Sequence, residues 1–228
     1  MEEAEKVRRL IEFFSQYASD HKKLFIDRVL SQRTRHVTLV LDDIFQSQNA
    51  SAVIRTCECM GLQDIHIVEN ESKYEVNRRV LKGANKWINI HRYKIKGFNN
   101  AEICYRRLRS EGYKIWVTDP DPEGTPIQQV PVDQKLAIVM GNELKGISDY
   151  ALTHADGKIN IPMYGFTESL NISVSAAICL STVVPKVHAS PIPWQLSPEE
   201  QLQIKLDWLR KIVRKSDLLE KEFLRSIA

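Results

Sequence analysis

The chain has 228 residues, 43% hydrophobic and 27% charged, with a formal net charge of +3, a profile that suits one generous α/β domain with appendages. No signal-peptide pattern precedes residue 30 and no apolar run approaches about 18 uncharged residues, which leads us to expect a cytoplasmic protein with no membrane partner. Cys57, Cys59, Cys104 and Cys179 show neither C-x-x-C spacing nor a nearby histidine pair, so they read as reduced thiols and no metal site is expected.

In chain order, Val7, Leu10, Ile11, Phe14 and Tyr17, then Leu24, Phe25, Val29 and Leu30, fall at helical spacing, predicting two helices over residues 2–31. Val37 to Leu41 is a near-continuous apolar run, the pattern of a strand covered on both faces. A polar loop over 42–48 leads to a helix from Asn49 to Met60, with Gly61 just past its end. Strands are expected at Ile65–Val68, Trp87–His91, Tyr113–Val117, Leu136–Met140 and Ile159–Ile161, where Pro162 lacks the N–H to continue a ladder. Helices are expected at Glu75–Leu81, Asn100–Ser110 and 147–152, and from an N-cap at Ser169 to about Val184. Residues 118–131 carry four of the nine prolines and read as a loop. Ser197-Pro198-Glu199-Glu200 is a strong helix start, predicting a helix to about Arg214 and a last one from Ser216.

Alternating strands and helices with short connections predict an α/β fold, a mostly parallel six-stranded sheet with helices on both faces. The expected organisation is a helical extension over residues 1–35, a core domain over 36–186, and a second helical extension over 187–228.

Charge is unevenly spread. Glu71 to Lys96 holds eight Lys/Arg against two acids, and Gln201 to Lys215 holds five against one, patches that suit a phosphate backbone. Ligands of open parallel sheets bind beyond the carboxyl ends of the strands, and three loops there are polar. After the first strand, Asn49 precedes Arg55 by six residues, about 120° away in helical rotation. After the fifth comes Gly141-Asn142-Glu143-Leu144-Lys145-Gly146, and after the sixth Glu168-Ser169-Leu170-Asn171. Singly, each is an ordinary turn, cap or surface residue. No G-x-G-x-x-G dinucleotide fingerprint accompanies them.

Taken in order, Asn49…Arg55, Gly141-Asn142-Glu143…Gly146 and Ile161-Pro162-Met163…Ser169-Leu170-Asn171-x-Ser173-x-Ser175-Ala176 resemble the three signature motifs of the SpoU/TrmH branch of the SPOUT methyltransferases. The resemblance covers about Val37 to Pro185. The flanking helices and Gly83-Ala84-Asn85-Lys86-Trp87 extend it toward that branch's tRNA guanosine 2′-O-methyltransferases.

The resemblance implies a C-terminal deep trefoil knot, against the general expectation that chains are unknotted. It implies S-adenosylmethionine as cofactor, tRNA as partner, and a homodimer in which each copy's first-motif residues lie near the other's cofactor. By position, Thr118, Gly141, Asn142, Ile161, Met163 and Leu170 would line the cofactor. Arg55, Asn49, Glu143, Ser169 and Asn171 would carry catalysis and order the ribose side. Arg55 matches the family's essential arginine; a guanidinium is a poor base, so phosphate binding is its more economical role. Many relatives have His before the first-motif Asn, whereas this chain has Gln48. Arg28, Arg33, Arg35, Arg210, Lys211 and Arg214 would grip tRNA phosphates. The implied reaction is methyl transfer to a tRNA ribose 2′-hydroxyl, at the D-loop guanosine of position 18. The alternatives are the same chemistry on another tRNA nucleoside or on ribosomal RNA, and a catalytically silent RNA-binding protein.

Overall fold

The computed structural model describes residues 3–227, which form two compact units. One unit comprises the described residues up to Arg33 together with those from Gln195 onward, and the other is Thr34–Trp194. The two expected extensions are therefore one unit, and its limits fall at 33/34 and 194/195 rather than at 35/36 and 186/187. The later boundary has a physical cause: Trp194 is buried in the larger unit's core, stacks on His188 at 3.8 Å, and its carbonyl accepts the Thr34 hydroxyl at 2.6 Å.

The smaller unit begins with α1 (Glu3–Ser15) and α2 (Asp20–Leu30), the latter capped by the Ser19 side chain. The larger unit then runs β1 (Val37–Asp42), α3 (Ser47–Cys59), β2 (Asp64–Val68), α4 (Arg78–Leu81), β3 (Asn89–Tyr93), α5 (Asn100–Ser110) and β4 (Tyr113–Thr118). It continues with β5 (Thr125–Pro126), β6 (Lys135–Met140), α6 (Asp149–His154), β7 (Gly157–Asn160) and α7 (Ile172–His188). The chain closes the smaller unit with α8 (Pro198–Ile212) and α9 (Ser216–Ser226).

Among the described residues the sheet has seven strands, all parallel, in the order β3-β2-β1-β6-β4-β7-β5. The expected count of six missed β5, two residues of the proline-rich loop that pair Thr125 with Ile159 and Pro126 with Asn160. A strand that short has no periodicity to detect, and Pro126 is tolerated because it sits at a sheet edge.

The pleat sorts the apolar residues to two faces. Val37, Leu39 and Leu41 of β1 join α3 and α7 in one core, while Val40 faces the other, formed with Cys104, Tyr105 and Leu108 of α5. Each fully buried aliphatic side chain contributes about 1.5–3 kcal/mol, which makes the two-sided burial of β1 the anchor of the fold.

Three local expectations shift. Ala84–Lys86 forms a 3-10 turn, so the third strand starts at Asn89 instead of Trp87. The last strand ends at Asn160, one residue before the expected Ile161. Pro185 does not end α7, which continues to His188: Val187 packs fully buried in the core, and that burial offsets the missing proline N–H. In the smaller unit α8 starts with a full capping box between Ser197 and Glu200, with Pro198 in the first turn.

Candidate active site

Strand order reverses between β1 and β6, and their register sets Leu41 opposite Met140. The loops after these two strands therefore leave the sheet side by side, the place where open α/β sheets take ligands. A cleft of about 720 Å³ lies there. Its lining draws on the ends of β4, β6 and β7, the start of α3 (Gln46, Asn49), the loop after β6, and the segment leading into α7.

The loop after β6 is closed by its own hydrogen bonds, Asn142 N to Gly146 O at 2.8 Å and Gly146 N to Asn142 O at 2.9 Å. This turn passes so near Gly141 that a Cβ there would lie 2.6 Å from the Gly146 carbonyl carbon. Gly141 is thus demanded by its own loop. The Asn142 side chain accepts from Leu144 N and Lys145 N and donates to the Asp43 carbonyl at 2.6 Å, tying the loops after β6 and β1 together.

Glu143 accepts from Phe45 N at 2.9 Å, Gln46 N at 3.3 Å and Asn49 Nδ2 at 2.8 Å. Its negative charge thus stands at the N-terminus of α3, where the helix dipole favours it. Asn49 Oδ1 in turn accepts from Asn171 Nδ2 at 3.3 Å, and Asn171 Oδ1 accepts from Ser173 N at 2.9 Å and Ser173 Oγ at 2.6 Å. Three segments far apart in sequence are joined by the chain Glu143–Asn49–Asn171.

Two cap assignments change. Helix α3 starts at Ser47 with Gln46 as N-cap, so Asn49 lies inside the first turn and its amide is free to bridge Glu143 and Asn171. Helix α7 is capped by Asn171, and Ser169 lies exposed two residues ahead of it, on the cleft wall. Both positions hold cap-forming residues, and Asn171 wins because its amide also has Asn49 to bond.

Of the residues expected around a cofactor, Thr118, Gly141, Asn142, Ile161, Met163 and Leu170 all line the cleft, and the Thr118 hydroxyl donates to the Val139 carbonyl at 3.0 Å. Arg55 does not line it: it is exposed on α3 and has no hydrogen-bond or ion-pair partner among the described residues. Met163 through Asn171 is exposed throughout, with Tyr164 at 97% and Phe166 at 109%.

The basic residues separate. Arg28 and Arg214 are exposed, Arg28 lying 5.2 Å over the Phe25 ring, and Lys211 is also exposed. Arg210 is occupied by a forked pair with Glu220 at 2.8 and 2.7 Å and by Asp207 at 3.1 Å. Arg33 corrects the expectation for its position: at 1% exposure, packed over Trp208 at 5.3 Å, it presents no charge to a phosphate. Arg35 is likewise committed, donating to Asp64 at 2.6 Å. Burial would push the Asp64 carboxyl up, but hydrogen bonds from His91, Arg35 and Asn89 outweigh it and hold the pKa well below the usual range.

Asp43 was not singled out by sequence. It adopts a left-handed φ of 57°, and its carboxylate accepts from Asn70 N, Glu71 N and Ser72 N at 2.8–2.9 Å. The available signal was an aspartate straight after a buried strand, one of the few residue types that tolerate this conformation. Among the described residues no group of three or more His, Cys, Asp or Glu is placed to hold a metal, and no helix is long and apolar enough to cross a membrane.

Residues 36–181 match the SpoU rRNA Methylase family. A tRNA (guanosine(18)-2′-O)-methyltransferase of Borreliella burgdorferi is 40% identical over 214 residues, 94% of this chain and 96% of that protein. One of Thermus thermophilus is 29% identical, covering 82% of this chain and 94% of its own. The crystal structure of the Aquifex aeolicus TrmH/SpoU tRNA modifying enzyme superposes with a TM-score of 0.72 at 29% identity, covering 86% of this chain and 98% of the other.

Proposed function

The chain belongs to the SpoU methylase family, and from that premise we propose that it transfers a methyl group from S-adenosylmethionine to the 2′-hydroxyl of the D-loop guanosine at position 18 of tRNA. The observation that carries this reading is the Glu143–Asn49–Asn171 hydrogen-bond chain, which assembles all three polar loops on one cleft.

The cleft fits the cofactor. Met140, Ile159, Ile161, Met163 and Leu170 give it apolar walls for a purine, and the backbone groups of Ile161 and Leu170 take no partner among the described residues. Its charged lining is Asp119, Glu143 and Glu168 against Lys145, an acidic balance suited to a sulfonium and unsuited to a dinucleotide's phosphates. When bound, S-adenosylmethionine supplies an activated methyl group on a positively charged sulfur. The chain's task is then positional. Glu143 fixes Asn49 and the start of α3, and Asn171 fixes the start of α7, so the ribose-facing walls are held before substrate arrives. Arg55, whose planar guanidinium matches phosphate geometry, binds a substrate phosphate and holds the hydroxyl in line.

Because Arg55 lies outside its own chain's cleft, the working enzyme is a homodimer in which a second copy's arginine completes the site. The trefoil knot belongs to the same reading. Its support is that Met163 and residues 168–171, which follow β7, return to line one cleft with the loop that precedes α6. Exposed Arg28, Lys211 and Arg214 supply sequence-independent phosphate contacts, and the enzyme works in the cytoplasm, where tRNA is modified.

The test is methyl transfer from labelled S-adenosylmethionine to an unmodified tRNA transcript, with the modified nucleotide mapped. Label at the guanosine 18 ribose is expected; label elsewhere refutes the target, and none refutes catalysis. Arg55→Ala should abolish turnover with folding unchanged, since an exposed, unpaired side chain contributes within about 0.5 kcal/mol to stability. Mixing Arg55→Ala with a cleft-dead variant should restore part of the activity if the site is shared between copies.

A further inference from the structure

We infer that Glu168 reads the base of the target nucleoside, its carboxylate accepting from the N1–H and N2–H₂ donors on the Watson–Crick edge of guanine. The inference rests on the guanosine reading above and adds the residue that selects that base.

Three observations carry it. First, the other carboxylates that line the cleft are committed: Glu143 to Phe45 N, Gln46 N and Asn49, and Asp119 to Lys158 at 3.3 Å and the Asp121 amide at 2.9 Å. Glu168 lines the same cleft, is exposed, and has no partner among the described residues. Second, it stands directly before Ser169 and three residues before Asn171, whose amide is fixed by Asn49, so it borders the ribose-facing wall. Third, Tyr164 and Phe166 on the same segment are almost wholly exposed, at 97% and 109%, and offer flat faces to an unstacked base. Stacking on aromatic side chains with hydrogen bonds to the Watson–Crick edge is how proteins hold bases taken out of a stack.

Guanine is the common base with two adjacent donors on that edge, and a carboxylate accepts both in one plane. Adenine sets an acceptor at N1, which repels the carboxylate. Sites that bond a substrate group reject analogues lacking it, because the site's own polar group is left unpaired. The aromatic faces hold any base alike, so discrimination falls to Glu168.

The experiment uses full-length protein and tRNA carrying guanosine, inosine or adenosine at position 18, with kcat/KM for each. Inosine keeps N1–H but lacks the N2 amino group. The unaltered protein should prefer guanosine over inosine by about tenfold or more, and reject adenosine further. Glu168→Gln should lose both the guanosine–inosine preference and the rejection of adenosine, because an amide accepts from N1–H and donates to O6 of guanine or hypoxanthine and, turned over, donates to N1 and accepts from N6–H₂ of adenine. Glu168→Ala should lose both preferences. Phe166→Ala should raise KM for all three with the ratios unchanged. Equal guanosine-to-inosine ratios in the unaltered protein and both Glu168 variants overturn the inference. So does weaker S-adenosylmethionine binding by calorimetry with unaltered base ratios, which would give the carboxylate to the methyl donor. Failure of the unaltered protein to methylate guanosine 18 overturns the functional reading itself, and is seen before any variant is made.

Discussion

Replacing Glu143 by alanine should loosen the start of α3 at a modest cost to the stability of the whole protein. The carboxylate accepts hydrogen bonds from Phe45 N at 2.9 Å, Gln46 N at 3.3 Å and Asn49 Nδ2 at 2.8 Å. Gln46 offers no side-chain cap of its own, so Glu143 is what closes this helix end. A hydrogen bond to a charged group contributes about 1.5–3 kcal/mol, and here the lower end applies because water reaches the freed amides. Each 1.4 kcal/mol is about tenfold in an opening equilibrium, so hydrogen exchange at Phe45 and Gln46 should accelerate by roughly ten- to thirtyfold. Global stability should fall by only about 1–2 kcal/mol, or about 2–8 °C in Tm for a chain of this size, since the core of α3 is untouched. Turnover should fall further than stability, because Asn49 then keeps only its long contact to Gln46 at 3.4 Å and the bond from Asn171. Glu143→Gln, with one acceptor left, should be intermediate in exchange. Amide exchange read by mass spectrometry alongside thermal melts decides the matter: unchanged exchange at Phe45 and Gln46 in Glu143→Ala would refute the bracing role.

Asn171 does two separable things. Asn171→Ser should keep the α7 cap and melt near the parent while losing turnover, whereas Asn171→Ala should also lose about 1 kcal/mol of stability; equal melting of the two variants would refute the cap. His66 is buried against Tyr93, and burial, followed by the nearby charge of His91, lowers its pKa from 6.5 to about 3. The unfolded chain takes up this proton near pH 6.5 and the folded one does not, so its contribution is complete above pH 6.5 and is lost as pH falls toward about 3, by up to about 1.4 kcal/mol per pH unit. Urea midpoints across that window should therefore fall less steeply in His66→Gln, and an identical slope would show that the folded histidine is already charged. In the smaller unit, Arg210→Gln should lower Tm by breaking the fork to Glu220, whereas Arg28→Gln and Arg214→Gln should leave Tm alone and each reduce the salt slope of tRNA binding by about one. Swapped outcomes would show that Arg210 faces the substrate and the exposed pair does not.

Elements with strong local signals were legible in the sequence. Helix α5 spans the expected Asn100–Ser110 because Asn99 caps it and Gly112 follows it, and β1 is found where its apolar run lies. What was not legible depended on distant partners. Ser169 and Asn171 are equally good caps in sequence, and the choice is made by Asn49, 122 residues away. Arg33 and Arg35 read as surface cations until Trp208 and Asp64 are in place beside them. The pairing of Thr125–Pro126 with β7 has no periodicity of its own, because a neighbouring strand holds it. The motifs named the cleft residues, yet only three dimensions show that Asn49 joins the other two loops and that Arg55 stands apart from them.

The separation of the bonds that build the cleft also sets when it can exist. Asn49 must wait for Glu143, 94 residues later, and for Asn171, 122 residues later. At ribosomal rates of about 5–20 residues per second, Asn171 is made about 6–24 s after Asn49. Within that interval the β1–β2–β3 half of the sheet can pair once β3 is made, and β1 gains β6 on its other side before Asn171 emerges. A nascent or truncated chain ending before Asn171 therefore carries the Glu143–Asn49 brace but lacks the wall that leads into α7. Completion of the site is a late event, and cleavage between Glu143 and Asn171 should separate binding competence from the survival of the early half-sheet.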